Sequence, residues 1–313
     1  MVGKKTSYAK ASCSTLPAIK GVSKYMTQNE WLDIAIKAHK GIDPEPYEQT
    51  VIQRMGDVLE PVLLEEAATM LGLDFVKTDH DEPVEHPEIP LAGSLDGTGV
   101  AKELTFKNGQ YPWLIIPEQS TITLDGPGVL ECKCTRDIPT NDLEEWRGVL
   151  QSKGLMECTG YNWCAVVVLW QSTDFRIYLY NRDSEFKHEL YDIVFDFDQR
   201  VKQELYYPPV TSNDANIIYK NVQKDDIILP GGTDAIIETI TNNKKIIKDL
   251  EKTIDDAETR LKTLIGDASE GKTNQYTVKW PMINYKAQPE KITPAKEKRS
   301  VRAKTLRIKH HGL

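Results

Sequence analysis

The run Val129-Leu130-Glu131-Cys132-Lys133-Cys134 (VLECKC) decides how the rest of this chain is read. It is short, opens on apolar residues and follows the turn string Asp125-Gly126-Pro127-Gly128, which marks it as a β-strand. Side chains alternate faces along a strand, so Glu131 and Lys133 point one way and Cys132 and Cys134 the other. Two charged groups on one face of an otherwise apolar strand are costly unless they bind something.

Upstream, Gly93-Ser94-Leu95-Asp96-Gly97 is a turn-forming string that supplies a further carboxylate. Asp96, Glu131 and the Cys132 backbone carbonyl make an oxygen-rich set of the kind Mg²⁺ prefers, completed by water and a substrate phosphate. Mn²⁺ suits the same ligands. Phosphodiester hydrolysis needs a deprotonated water and neutralised charge at phosphorus; a bound divalent ion can supply both, and two ions are expected at full occupancy. Lys133 then orients the water or stabilises the developing charge. Glu60, on a helical stretch from Glu48 to Leu71, adds a metal-binding carboxylate if it faces inward. The competing reading makes Glu131 and Lys133 an exposed edge-strand face and Asp96 a turn residue.

Around these strings the apolar spacing predicts a helix start at Ser12–Ile19, capped by Ser12 or Ser14, and a second helix from Gln28 to about Lys40. The third helix, to Leu71 with Gly72 as C-cap, carries Val51, Met55, Val58, Leu59, Val62, Leu63 and Leu71 at helical spacing. Residues 74 to 92 read as extended. Tyr111–Ile116 and Ser120–Leu124, broken at Pro117, suggest an inserted hairpin. A helix over Asn141–Met156, a buried strand over Trp163–Trp170 and its partner Phe175–Tyr180 complete an α/β (or α+β) core with a central mixed sheet flanked by helices. The expected organisation is a core over 1–210 and an extension over 211–313. The extension holds a charged helix at about 234–265, a strand-like stretch from Gln275 and a basic tail. In that helix Ile240, Ile247, Leu250, Ile254, Ala257, Leu261 and Leu264 follow 3,4 spacing, with Asn243 on the seam and Gly266 as the stop.

The 313 residues are 40% apolar, and the longest apolar run falls far short of the roughly 20 residues a bilayer requires. The reading is a soluble, cytoplasmic chain with no membrane partner. Five cysteines without a CxxC pair exclude a zinc ribbon or a disulfide framework. The net charge of −8 conceals a tail, Asn284–Leu313, of about +7, so contact with a polyanion is expected from that tail and a local groove.

The order of these elements resembles the PD-(D/E)XK nuclease superfamily: a helix with Glu60, a turn with Asp96, a strand with ExK, then a helix with Gln151. More narrowly it resembles the YqaJ-type viral recombinase family that includes lambda exonuclease. The matching strings are Ser14-Thr15-Leu16-Pro17-Ala18-Ile19, Gly56-Asp57-Val58-Leu59-Glu60-Pro61, Gly93-Ser94-Leu95-Asp96-Gly97, Leu130-Glu131-Cys132-Lys133-Cys134, and Gln151 with Thr159-Gly160, over roughly residues 7 to 206. The resemblance implies a magnesium-dependent exonuclease of phage-type DNA recombination. It would digest one strand of linear duplex DNA from its 5′ end and leave a 3′ single strand for an annealing protein. It also implies a homo-oligomer, such as a ring trimer enclosing the DNA. Residue by residue, Asp96 and Glu131 become metal ligands, Lys133 the water-orienting group, Glu60 an auxiliary acid, Gln151 a neighbour of the attacking water, and Ser14 a contact of the terminal 5′ phosphate.

Two departures stand out. The 34 positions between Asp96 and Glu131 exceed the short hairpin usual in the family, and Lys153, a candidate phosphate contact, stands where a second Gln is common. The rival classes are a non-catalytic DNA-binding or assembly protein with the same fold and a structure-specific endonuclease with the same site. Three other signals are discounted. Gly266–Thr273 (GDASEGKT) fits a phosphate-loop pattern but follows a helix and precedes a strand, the reverse of what such a loop needs. Cys132 and Cys134, with Cys158 and Cys164, read as small core residues and not as an iron–sulfur set. Trp146, Trp163, Trp170 and Tyr161 are assigned to the core in preference to base stacking.

Overall fold

The structure is a computed structural model that describes residues 6–45, 48–78, 80–221 and 226–283. The basic tail from Asn284, with His310 and His311, lies outside the described residues. The chain divides into two compact units, Met1–Tyr219 and Lys220–Leu313.

The first unit opens with strand β1 (Ala11–Ser12), a 3₁₀ turn (Cys13–Thr15) and helix α1 (Leu16–Lys20). Helices α2 (Gln28–His39) and α3 (Val51–Leu71) both start at capping boxes, Thr27 with Glu30 and Thr50 with Gln53, which satisfy the first free N–H groups. Gly72 ends α3 in the left-handed region, as its position after the last apolar residue predicts. Short strands β2 (Phe75–Lys77), β3 (Val84–Glu85) and β4 (Leu91–Gly93) lead into the long strand β5 (Gly97–Lys107), the short β6 (Leu114–Ile115) and the long β7 (Thr121–Thr135). Helix α4 (Leu150–Thr159), strands β8 (Trp163–Trp170) and β9 (Asp174–Asn181), and helices α5 (Ser184–Gln203) and α6 (Ser212–Ile218) complete the unit.

Six strands form one mixed sheet in the order β2-β5-β7-β8-β9-β6. β7 is antiparallel to β5 and parallel to β8, which places VLECKC at the centre of the sheet, with β8 as an unbroken apolar neighbour. The edge-strand reading of Glu131 and Lys133 is thereby excluded. One apolar cluster covers each face. Val129, Cys164, Val166 and Val168 pack with residues of α1, α2, α4 and α5, while Leu130, Cys132, Ala165 and Val167 pack with Leu64, Ala67 and Leu71 of α3. The alternation read from the sequence is therefore the partition of the core: the odd-numbered residues of VLECKC face one layer and Leu130 and Cys132 the other.

Five expectations are corrected. There is no separate inserted hairpin: Ser120–Leu124 pairs with the far end of β5, and Leu114–Ile115 pairs in parallel with β9. Asp125-Gly126-Pro127-Gly128 is no turn but part of β7, opposite a bulge on β5 in which Lys102 and Glu103 face the single residue Asp125. The helix expected over Asn141–Met156 is broken at Gly148, whose φ of 87° is left-handed, and α4 begins at Leu150. The apolar stripe of α3 is buried only in its second half. Val51, Met55, Val58 and Val62 are exposed because the sheet lies beneath Leu64, Ala67, Ala68 and Leu71 alone. Finally, Trp163 and Trp170 are core residues, but Trp146 is half-buried and outside both clusters. Helix α5, unread in the sequence, carries Phe186, Leu190, Val194, Phe197 and Val201 on its buried face.

The second unit contains helix α7 (Thr233–Ile265) and a hairpin of β10 (Glu270–Lys272) and β11 (Thr277–Lys279). No residue of α7 is buried. The phosphate-loop pattern falls on a turn and β10, with β11 and not a helix next among the described residues, as its context predicts. Among the described residues no helix is long and apolar enough to cross a membrane.

The centre of the sheet tolerates no added atom at Gly128, where a Cβ would come within 2.2 Å of the Trp163 ring. Gly128→Ala is expected to destabilise the fold by about 1–3 kcal/mol, read from urea unfolding midpoints at unchanged m. An unchanged midpoint would show that the ring has room to move.

Candidate active site

Asp96 and Glu131 are far apart in sequence and adjacent in the sheet. Gly97 pairs with Leu130 across the β5–β7 ladder, so Asp96 stands one step beyond the last pair, level with Glu131. The residues between them lengthen the hairpin away from this point and leave it undisturbed. The Asp96 Oδ2 accepts a hydrogen bond from the Cys132 N–H at 3.0 Å. In a strand the N–H and C=O of one residue point to the same edge, so the Cys132 carbonyl faces the Asp96 side and not the ladder to β8.

Glu131 is wholly buried. Its Oε1 accepts a short hydrogen bond from the Lys133 Nζ, and its Oε2 has no hydrogen-bond partner. The Lys133 side chain is 32% exposed, so the pair reaches from the sheet interior to solvent. Burial, with the Asp96 charge beside it, pushes the Glu131 carboxyl well above the ordinary range, against the pull of Lys133. Burial alone would lower Lys133, but the Glu131 and Asp96 carboxylates outweigh it and keep the ammonium protonated. Glu60, on α3 just before Pro61, is pushed up to about 7 by burial and by the Asp96 charge, opposed by Lys133. Glu60 is thus electrically part of the Asp96, Glu131 and Lys133 group.

Behind these side chains runs the irregular turn Glu145–Val149. A Cβ on Gly148 would lie 3.3 Å from Lys133 Cε and 3.4 Å from Glu131 Cγ, and the residue also has a positive φ. Gly148 therefore forms the wall against which both charged stems are held. The sequence reading missed it; the available signal was a glycine inside a stretch assigned to helix.

Gln151, Lys133 and Ser14 share the lining of one open cavity of about 390 Å³. The Ser14 hydroxyl also meets that of Ser12 at 3.1 Å. Lys153 is not brought to this group. Two residues along a helix lie on nearly opposite sides, and Lys153 turns into a different cavity, where it is buried and pairs with Glu118 at 2.6 Å.

Among the described residues no group of three or more His, Cys, Asp or Glu is arranged to hold a metal. The donors on offer are two carboxylates and a backbone carbonyl, which is the sparse oxygen set Mg²⁺ uses when water and phosphate supply the remainder. The unpartnered Glu131 Oε2 fits such an ion. The cysteines do not assemble into a cluster: Cys132 touches Cys134, and Cys13 Sγ lies 3.8 Å from Cys158 Sγ.

No protein-family profile matches the chain, and no curated protein does. Among solved structures it is similar to an alkaline exonuclease from Laribacter hongkongensis, with 18% identity and a TM-score of 0.45 over 63% of this chain and 90% of that one. It is similar also to a phage related exonuclease from Haemophilus somnus, with 16% identity and a TM-score of 0.44 over 63% of this chain and 95% of that one. These likenesses are distant, and the chemistry of the site is read from its own residues.

A carboxyl raised by burial keeps in the folded state a proton that the unfolded chain loses near pH 4.5. Its contribution to stability is full below that pH and declines as pH rises to the folded value, about 7 for Glu60. In EDTA, wild-type stability should fall between pH 5 and 8, and the fall should be smaller in Glu60→Gln. Equal slopes in denaturant titrations across that range would refute the coupling of Glu60 to the site.

Proposed function

We propose that this chain is a metal-dependent deoxyribonuclease that degrades linear duplex DNA from its ends, 5′ to 3′, and leaves 3′ single strands for recombination by annealing. The observation that carries the proposal is the Glu131–Lys133 pair at the centre of the sheet, with one Glu131 oxygen unpartnered and Asp96 beside it. Such an arrangement costs stability and has a use where a cation and a phosphate are to be bound. The ordered sequence strings and the shared cavity of Ser14, Lys133 and Gln151 support the same reading.

Asp96, Glu131 and the Cys132 carbonyl would hold Mg²⁺ or Mn²⁺, with Glu60 beside them for a second ion. When bound, the metal supplies a water of lowered pKa and neutralises charge on the phosphate. Lys133, kept protonated by its two carboxylate neighbours, serves as a donor and not as a base: its N–H groups orient the attacking water or a phosphate oxygen. The Gln151 carboxamide oxygen can accept a hydrogen bond from that water and fix its direction, and the Ser14 hydroxyl can donate to a terminal 5′ phosphate.

The test is digestion of 5′-phosphorylated linear duplex DNA beside a covalently closed circle, in Mg²⁺ and in EDTA. Metal-dependent loss of the linear substrate only is expected, reduced at least about 100-fold in Lys133→Ala. Cutting of the circle would replace the exonuclease by an endonuclease. DNA binding without any digestion would leave a binding protein.

The proposal includes self-association through α7. Its seam, Ile236, Ile240, Asn243, Ile247, Leu250, Ile254, Ala257, Leu261 and Leu264, keeps 4,3 spacing without a break, and none of it is buried. Asn243 selects a second copy in register, because an amide on the seam is best satisfied by the same amide of its twin. Replacing Ile247 and Leu250 together with Asp should lower the sedimenting mass to that of one 35.5 kDa chain. A mass unchanged by that double substitution would place any assembly elsewhere.

A further inference from the structure

The cavity beside Lys133 has a wall that the hydrolytic residues do not explain. Besides Ser14 it is lined by Tyr25 and Trp146, whose rings meet edge to face at 5.3 Å between centroids. Tyr25 is 77% exposed, although it belongs to neither apolar cluster, and Trp146 is half-buried. Two large rings left open to solvent, one propping the other, gain little from the fold. The Arg147 guanidinium stacks 4.3 Å from the Trp146 ring centre, and the Lys24 ammonium lies 5.5 Å from it. Both cations also contact Asp137, and Arg147 is further held by Glu144. The indole is thus fixed in place while the cavity mouth keeps Lys133 as a cation directed to solvent.

We infer that this cavity receives the base of the nucleotide at the end of the strand being cut, with Trp146 as its stacking surface and Tyr25 as its side wall. The inference rests on the nuclease reading and names a subsite within it. Three observations select a nucleobase over an apolar protein segment. The cavity is continuous with Lys133 and Gln151, so whatever occupies it is bonded to, or next to, the group held there. Its volume, about 390 Å³, is near the lower end for small-ligand sites and suits one nucleotide. Its lining also includes the hydroxyl residues Ser14, Thr15 and Ser23, groups that a sugar and phosphate can bond. Stacking is indifferent to base identity because every base has a π-face, so the subsite anchors an end without reading sequence.

The test uses the full chain in EDTA, where nothing is cut. Tryptophan fluorescence is titrated with a duplex carrying a short unpaired, 5′-phosphorylated end, and with the same duplex made abasic at its terminal nucleotides. Wild type should bind the intact end about 10-fold more tightly than the abasic one. Trp146→Phe should keep that preference, and Trp146→Ala should bind both ends alike. Equal affinity of the wild type for the two ends would overturn the inference, with or without digestion in Mg²⁺. So would a Trp146→Ala protein that still prefers the intact end. A preference for the intact end in a chain that digests nothing would instead sink the nuclease and keep the base subsite, so the two failures are told apart.

Discussion

A carboxylate at the centre of a β-sheet, with one oxygen bonded to lysine and the other to nothing, is the constraint around which the first unit is arranged. Glu131 cannot be hydrated where it lies, and one lysine satisfies only half of it. The neighbours make sense as devices that hold this pair without relieving it. Val166 on β8 and the bare α-carbon of Gly148 pack against the stems of Glu131 and Lys133. The Asp96 carboxylate is fixed by the Cys132 N–H at a place where it raises the cost of the Glu131 charge. A fold selected for stability alone would fill this space with apolar side chains of the same volume.

The same geometry explains why one lysine faces three acids. Lys133 is the single cation that pulls down both Glu60 and Glu131, while Asp96 pushes both up. In the protein alone the balance is incomplete, since both glutamates stay above their ordinary range. A divalent cation would reverse the sign of the local field and free the lysine for the substrate. On this reading the ion pair is a resting arrangement of the catalytic groups, and the strain is carried by the sheet, whose two apolar clusters anchor β7 from both sides.

Alternation along VLECKC was legible because period two is a local property of any strand, and it correctly assigned Glu131 and Lys133 to one face. The cap at Gly72 was legible for the same reason, whereas the capping boxes at Thr27 and Thr50, equally local, went unread. Non-local pairings were not legible. Nothing near Leu114 shows that its partner is Ile177, and nothing near Asp125 shows that a bulge on β5 will absorb the turn-forming string. Gly148 was hidden because its reason lies in Lys133 and Glu131, across the chain. The exposed half of α3 failed for a related cause: helical spacing shows that a stripe exists, but only the extent of the sheet shows how much of it is covered. That Asp96, Glu131 and Lys133 form one group could be read in advance, and the backbone that confines them could not.

Helix α4 shows how little sequence is needed to separate two environments. Gln151 and Lys153 differ by two positions, and the helix turns them to different cavities, one lined by Lys133, Ser14 and aromatic rings, the other by Glu118, Glu145, Glu185 and Glu189. A lysine is tolerated in the second because those acids and the faces of Tyr180 and Phe186 surround it. Beside Lys133 it would add repulsion to a cation that two carboxylates already hold, and would compete with it for the same acids. Under the proposed function the neutral amide sits where the water would be directed, and the charged side chain where the fold is tied to Glu118. A second Gln in place of Lys153 would leave Glu118 without its partner, while Glu145 and Glu189 would keep theirs, Lys20.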